Sequence, residues 1–456
     1  MNPLVYVVIF GWIPFVLFLF RWMPTQKAVI LSFIIAWLFL PVVSFELPGI
    51  PNYTKIAATC YGILLATIVF DIKRFSSFRF SWLDVPMLVW CLCPLPSSMT
   101  NDLGLYDGLS GVFYQVVTWG LPYYLGRLYL GTLDGLRRLA TYTFIGGLIY
   151  IPLCLFELRM SPQLHRVLYG FHARSDFTQT IRYGGYRPTV FMEHGLMVGA
   201  WMMAAALIGI WLWKTQALKQ VWGIPIKWLV IVLLLANILV KSTGAILLLL
   251  VGLFILFFST RLRTSILVLM VIGAISLHLY LGVTGNFPGE QIVAVVSTTL
   301  NEERAQSVQF RFDNEKILSE RAREKIVFGW GGWGRNEIYD KWGKRLTITD
   351  SLWIIAFGIR GVVGLIAVMA SLLLPAIAFM QHYPVSIWNH PKVAPAAALV
   401  LLLILYTIDC LLNALINPIY ILACGGVAGL IINQTQTKNQ IKPNLVQIRT
   451  QRTLRD

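Results

Sequence analysis

GAILLLLVGLFILFFSTRLRTSILVLMVIGAISLHLYLG, residues 244–282, holds two apolar runs separated by a short basic turn, Ser259-Thr260-Arg261-Leu262-Arg263. Leu, Ile, Val and Phe follow one another without alternating with polar residues. The runs therefore read as helices in apolar surroundings, not as strands of a membrane barrel. A spanning helix takes about 20 mostly apolar residues, so the pair reads as a transmembrane helical hairpin. Apolar runs and short links alternate in the same way in both directions from here.

Composition agrees. Of the 456 residues, 57% are apolar and 13% charged, against about 45–50% and about 25% in soluble domains. Mean hydropathy is +0.69. These values exclude a soluble enzyme, a disordered chain and a fibrous protein. Candidate spans fall near 4–20, 28–45, 56–70, 84–98, 110–128, 139–158, 188–213, 226–240, 244–258, 264–282, 350–379, 393–411 and 413–432. The expected fold is all-α: a polytopic transmembrane bundle of about 12–14 spans. Residues 1–456 read as one integral membrane domain without an internal repeat. The N-terminal stretch has no basic n-region and no small-residue cleavage site, so it reads as a first span. The six cysteines lie in apolar segments without ligand spacing and read as small core residues.

The chain has 37 basic and 21 acidic residues, a net charge of +16. In a soluble protein this would point to nucleic acid. Here the excess belongs to short basic links, Asp71–Trp82, Arg127–Arg138, Lys214–Lys227 and Arg261/Arg263, and to a basic tail at 433–456. The positive-inside bias puts these in the cytoplasm, and no nucleic-acid partner is expected. Alternation then places Glu46–Lys55, Met99–Leu109, Arg159–Arg187, Lys241–Thr243 and the long 283–349 loop outside. Arg159–Arg187 breaks the trend, with Arg159, Arg166, Arg174, Arg182 and Arg187 against Asp176. It reads either as a solvated or lipid-headgroup-contacting loop or as an anion site, since the guanidinium fork suits phosphate oxygens.

The long loop turns charged and helical. Val308, Phe312, Leu318, Ala322 and Ile326 recur at helix-like spacing, which predicts an amphipathic helix over the outer mouth of the bundle. Gly329-Trp330-Gly331-Gly332-Trp333-Gly334 ends it. Its glycines permit tight turns, and Trp330 and Trp333 suit either an interfacial anchor or a sugar-stacking role. The chain has no P-loop, GxSxG, HExxH or dinucleotide fingerprint. No DxD stands at an outer loop and Asp409 is alone in its span, so metal-dependent transfer finds little support. Asp350 opens a span and reads either as an N-cap or as a proton acceptor. Glu193 and His194 lie near the outer end of another span, where ionisable groups mark cavities or function. His278 reads as a core histidine.

Two stretches, FRFDNEKILSERAREKIVFGWGGWGR (310–335) and TDSLWIIAFGIRGVVGL (349–365), resemble the O-antigen ligase and O-antigen polymerase superfamily. A third, NILVKSTGAILLLLVGLFILFF (237–258), is similar to the family's polar break between two spans. The resemblance covers roughly residues 185–380. It implies a bacterial inner-membrane glycosyltransferase of polysaccharide or exopolysaccharide biosynthesis. Such an enzyme uses an undecaprenyl-diphosphate-linked glycan donor and a glycan or lipid acceptor at the periplasmic face, without metal, nucleotide sugar or other cofactor. The family pattern of an Arg opening a helix, a Gly-x-Gly turn and a polar residue starting a Gly-x-x-Gly span looks like Arg311, Gly329/Gly331, Asp350 and Gly361/Gly364. Two positions depart from it: ligases carry His where Asp350 stands and Arg where Thr243 stands, with Lys241 two residues earlier.

The resemblance thus implies Asp350 and Arg311 as catalytic residues, with Arg187, Lys241, Arg182, Trp330 and Trp333 binding substrate. The arginines and lysine would hold the diphosphate and Asp350 would take the acceptor's proton, with inversion at the anomeric carbon. The alternative is a glycan transporter or flippase, or a non-catalytic membrane component of the same machinery. A transporter would carry paired, interrupted spans with mid-membrane charges, and a non-catalytic component would tolerate loss of both Arg311 and Asp350.

Overall fold

The computed structural model describes residues 2–47, 51–174, 177–182, 184–299, 302–332 and 334–453. Side chains after 435 and at several positions between 292 and 308, Val308 among them, lie outside that description. The architecture is an all-α polytopic bundle. Three two-stranded hairpins, Ser44–Phe45 with Tyr53–Thr54, Ile181–Arg182 with Gly185–Tyr186 and Gln220–Val221 with Ile224–Pro225, decorate its loops.

Seven described helices are long and apolar enough to cross a membrane: Leu133–Met160, Gly195–Lys214, Thr243–Leu262, Ile266–Thr284, Leu352–His382, Ala394–Leu412 and Pro418–Thr435, the last being the apolar part of Pro418–Thr453. Pro3–Phe10 and Trp12–Trp22, bent by 41° at Gly11, meet the same criterion only as a pair, as a broken span or a re-entrant loop. Thr25–Phe39, Lys55–Phe70 and Ile226–Leu239 are apolar but shorter. The two remaining expected spans are helical but interrupted. The 84–98 stretch is divided into Val85–Leu92 and Pro94–Met99, since Pro94 and Pro96 remove amide donors. The 110–128 stretch begins earlier, at Gly104, and passes through a π-helical turn at Val116–Gly120 before continuing to Tyr129. Part of the expected Met99–Leu109 loop is therefore helix.

Gly195–Lys214 and Ala394–Leu412 are buried on nearly every side and form the centre. Thr243–Leu262 and Ile266–Thr284 leave Leu247, Leu250, Phe254, Leu269, Met270 and Leu277 exposed, an apolar surface that water would not tolerate and lipid does. The chain is a multi-pass membrane protein. Close approach without a hydrophobic driving force relies on small residues. A Cβ on Gly126 would lie 2.1 Å from the Leu422 carbonyl oxygen, and one on Gly425 would lie 2.0 Å from that of Tyr123. All six cysteines are free and buried.

Contacts between loops fall into two groups. At one end Asp84 receives the Arg127 Nε–H at 2.8 Å and the Tyr123 hydroxyl at 2.9 Å, deeply buried, and Arg137 reaches the Ala217 carbonyl at 3.0 Å. At the other end the 159–187 loop, the 241–243 break and the long loop converge.

Two details of the long loop differ from expectation. Its main helix runs Glu302–Arg323, so Arg311 lies mid-helix and does not open it. Leu318 and Ala322 face the core, whereas Ile326 falls beyond the helix and is exposed. The helix starts earlier because the polar run before Arg311 has no breaker.

Candidate functional site

The Arg-rich loop is held by one buried carboxylate. Glu157 accepts amide N–H bonds from Leu164 (2.8 Å), Thr189 (2.9 Å) and Val190 (2.7 Å). This holds residues 188–194 outside the helix, with a turn closed by Met192 N donating to the Thr189 carbonyl at 2.9 Å and Val190 at φ +52°, so the next helix starts at Gly195 and not at 188. His194 caps that helix: its Nδ1 accepts from the Leu196 amide at 3.0 Å, leaving Nε2–H to donate to Gln179 Oε1 at 2.9 Å. Arg187, buried, donates from Nη2 to the Gln179 carbonyl at 2.9 Å.

The break between Ile226–Leu239 and Thr243–Leu262 docks on Gly199, where a Cβ would lie 2.5 Å from the Ser242 side chain. Lys241 adopts φ +57° there and sends Nζ across to the Arg182 carbonyl at 3.3 Å. From the opposite side Arg311 Nη1 reaches the Leu412 carbonyl at 3.5 Å. A cavity of about 1910 Å³, counted to its open mouth, lies between these elements. Arg174, Arg182, Arg187, Lys241 and Arg311 line it, with Asp350, Asp409, Gln179 and His194. Among the described residues these five cations face two carboxylates, so the cavity has a net positive field suited to a multiply charged anion.

Five of the seven residues singled out from sequence thus share one cavity: Asp350, Arg311, Arg187, Lys241 and Arg182. Trp330 does not line it. Its indole Nε1–H donates to the Arg321 carbonyl at 2.8 Å and its ring lies 3.4 Å beneath the Arg321 guanidinium, a loop-anchoring role. Trp333 lies outside the described residues. Asp350 is exposed and does not cap the following helix; that place belongs to Ser351.

Three functional features escaped the sequence reading. Asp409, set aside as isolated, reaches the cavity at the end of Ala394–Leu412, accepts from Asn413 Nδ2 at 2.8 Å and lies in the field of Arg311. Glu315, one turn after Arg311, accepts from the Ser351 hydroxyl at 2.8 Å and Trp353 Nε1 at 3.2 Å. Burial pushes its carboxyl up to about 7, with Asp350 adding to the rise and Arg311 opposing it. Its chamber, with His278 and Phe312, adjoins the arginine cavity across Phe312. His278 packs edge-on against Phe287 and Trp353.

The third feature is the target of the Gly-rich run. Leu352–His382 is broken at Gly361, whose φ +64°, ψ −167° only glycine adopts readily. The run plugs the break. Trp330 N donates to the Gly358 carbonyl (2.9 Å), Gly331 N to that of Ile359 (3.1 Å), and Val362 N to that of Ile326 (2.8 Å). A Cβ at Gly329 would strike Ile359 at 2.5 Å. Backbone groups freed inside an apolar span are thereby satisfied.

Among the described residues no group of three or more His, Cys, Asp or Glu could hold a metal ion. No protein-family model matches the chain, and no curated protein matches it.

Proposed function

We propose that this membrane protein is a glycosyltransferase that transfers or polymerises a glycan carried on undecaprenyl diphosphate, at the periplasmic face of a bacterial inner membrane. The observation that carries the reading is the convergence of Arg174, Arg182, Arg187, Lys241 and Arg311 on one cavity that also holds Asp350. A polyprenyl diphosphate leaving group gains negative charge as the anomeric C–O bond breaks, and preformed cations stabilise that charge. The acceptor hydroxyl oxygen forms the new bond to the anomeric carbon from the opposite face. Its proton passes to the Asp350 carboxylate, and the electron pair of the breaking bond leaves with the diphosphate. Asp350 suits this role because no helix amide engages its carboxylate.

Purified protein in detergent, supplied with an undecaprenyl-diphosphate-linked glycan and an acceptor, tests the reading. Product should form with release of undecaprenyl diphosphate. Arg311→Ala should abolish it, and Arg311→Lys should restore part of it, because an ammonium keeps the charge without the fork. Full activity in Arg311→Ala, or movement of intact donor across vesicles without bond cleavage, would overturn the assignment, the latter in favour of a flippase.

A further inference from the structure

Arg360 is the last residue before the Gly361 break, in a stretch, 352–364, that is otherwise apolar. Its side chain lines a second chamber of about 1660 Å³, separate from the arginine cavity. Among the described residues no carboxylate pairs with it and no acceptor hydrogen-bonds it; the Cys93 thiol is the titratable group whose charge acts on it. Arg360 is partly exposed toward the chamber, so its guanidinium has lost part of its water without gaining a counter-ion. Within a spanning segment such a group marks a place where a ligand completes the charge.

The rest of the lining defines the ligand. Trp90 and Trp119 meet edge to face at 5.9 Å on the wall. Tyr114, 51% exposed, offers its ring at the rim. Gln115 and Asp107 add planar hydrogen-bonding groups. The Tyr114 ring, beside amide and carboxyl groups and backed by the buried tryptophans, suits the apolar face and hydroxyl edges of a sugar. The chamber offers one cation, Arg360, and one carboxylate, Asp107, against five cations and two carboxylates in the arginine cavity. Without a net positive charge it does not suit a diphosphate, and Arg360 alone can meet a single carboxylate. Ala414, in the non-helical link after Ala394–Leu412, lies on the walls of both spaces, so the two adjoin there.

We propose that the Arg360 chamber is a subsite for an acidic sugar, a residue bearing a carboxylate, of the glycan handled at the Arg311 cavity. Its description as part of that glycan rests on the function proposed above, whereas the binding chemistry does not. Arg360 would engage the carboxylate and Tyr114 would stack on the ring.

Titration of the full-length protein in detergent with trigalacturonic acid, neutral galactotriose and farnesyl diphosphate tests it, read by calorimetry and tryptophan fluorescence. Trigalacturonic acid should bind more tightly than galactotriose. Arg360→Gln should weaken the acidic ligand at least about tenfold, as expected for a lost hydrogen bond to a charged group, and leave the neutral one unchanged. Tyr114→Ala, at the exposed rim, should weaken both. Arg311→Ala should leave trigalacturonic acid bound. If Arg360→Gln does not fold, Arg360→Lys must still prefer the acidic ligand.

Equal binding of acidic and neutral sugars would overturn the proposal. So would loss of the acidic ligand in Arg311→Ala with retention in Arg360→Gln. Loss of farnesyl diphosphate alone in Arg360→Gln would make the chamber a phosphate site and equally overturn it. No donor or product enters this measurement, so its outcome is independent of whether transfer occurs.

Discussion

The Ser351 hydroxyl donates to the Glu315 carboxyl at 2.8 Å, fastening the helix that crosses the cavity mouth to the residue that caps the Leu352–His382 span. Burial, with help from the Asp350 charge, raises the Glu315 carboxyl to about 7. In the unfolded chain the same group titrates near its ordinary value, about 4.3. Between those values the folded protein holds a proton that the unfolded chain has released. Stability is therefore fullest at the acid end, falls as pH rises from about 4.5 to about 7, and is level above. Melting temperature in detergent should show this decline, and Glu315→Gln should remove it. An identical slope in the variant would assign the titration to another group.

Asp350 separates into two testable roles because Ser351 holds the cap position. Asp350→Asn should leave the melting temperature near wild type, since no cap bond is lost. It should lower turnover by about 10²–10⁴-fold if the carboxylate takes the acceptor proton. A wild-type rate in Asp350→Asn would move the search for the base to Asp409, on the same cavity wall.

Much of this was legible in the sequence, and the parts that were not share a cause. Apolar runs specify helices wherever they occur, so the bundle and the basic links could be read directly. The arginines of 174–187 stood out by charge alone, against the positive-inside trend. Asp409 and Glu315 did not. Each is a single carboxyl in ordinary surroundings along the chain, and what distinguishes it is a residue about 100 or 36 positions away: the Arg311 charge acting on Asp409, and the Ser351 hydroxyl bonded to Glu315. Trp330 looked like a ligand platform because an indole among glycines carries no sign of what it will pack on; here that is Arg321. Arg360 did leave a signal, an arginine amid apolar residues, but its meaning depended on the Gly361 break, which the sequence gives only as one more glycine.

That break sets a stability prediction. A Cβ at Gly361 would lie 2.2 Å from the Val327 carbonyl oxygen, and the residue already has φ +64°. Gly361→Ala thus adds a backbone conformation costing on the order of 1–3 kcal/mol to a collision that must push the Gly-rich run out of the helix. The variant should be recovered at much lower yield and melt well below wild type. Gly343→Ala is the matched control, since its φ is +76° but nothing lies near its Cβ; it should lose only the conformational part. Equal effects of the two would mean that the plug contributes nothing beyond backbone strain.

Sidedness decides whether the arginine cavity faces the compartment in which a translocated lipid-linked donor is presented. Because all six native cysteines are buried, single cysteines can be added to the natural background. Trp342, 82% exposed in the long loop, and Arg261, exposed in the basic turn, belong to the two opposite sets of loops. In spheroplasts of an expressing bacterium, Trp342→Cys should react with a membrane-impermeant maleimide, and Arg261→Cys should react only after permeabilisation. Positive charge favours the same outcome, since Arg261 and Arg263 sit in a short link between spans. The reverse pattern would place Arg311 and its neighbours in the cytoplasm. A periplasmic transfer reaction would then be untenable however strongly Arg311→Ala impaired the protein, and the cations would have to serve a cytoplasmic anion instead.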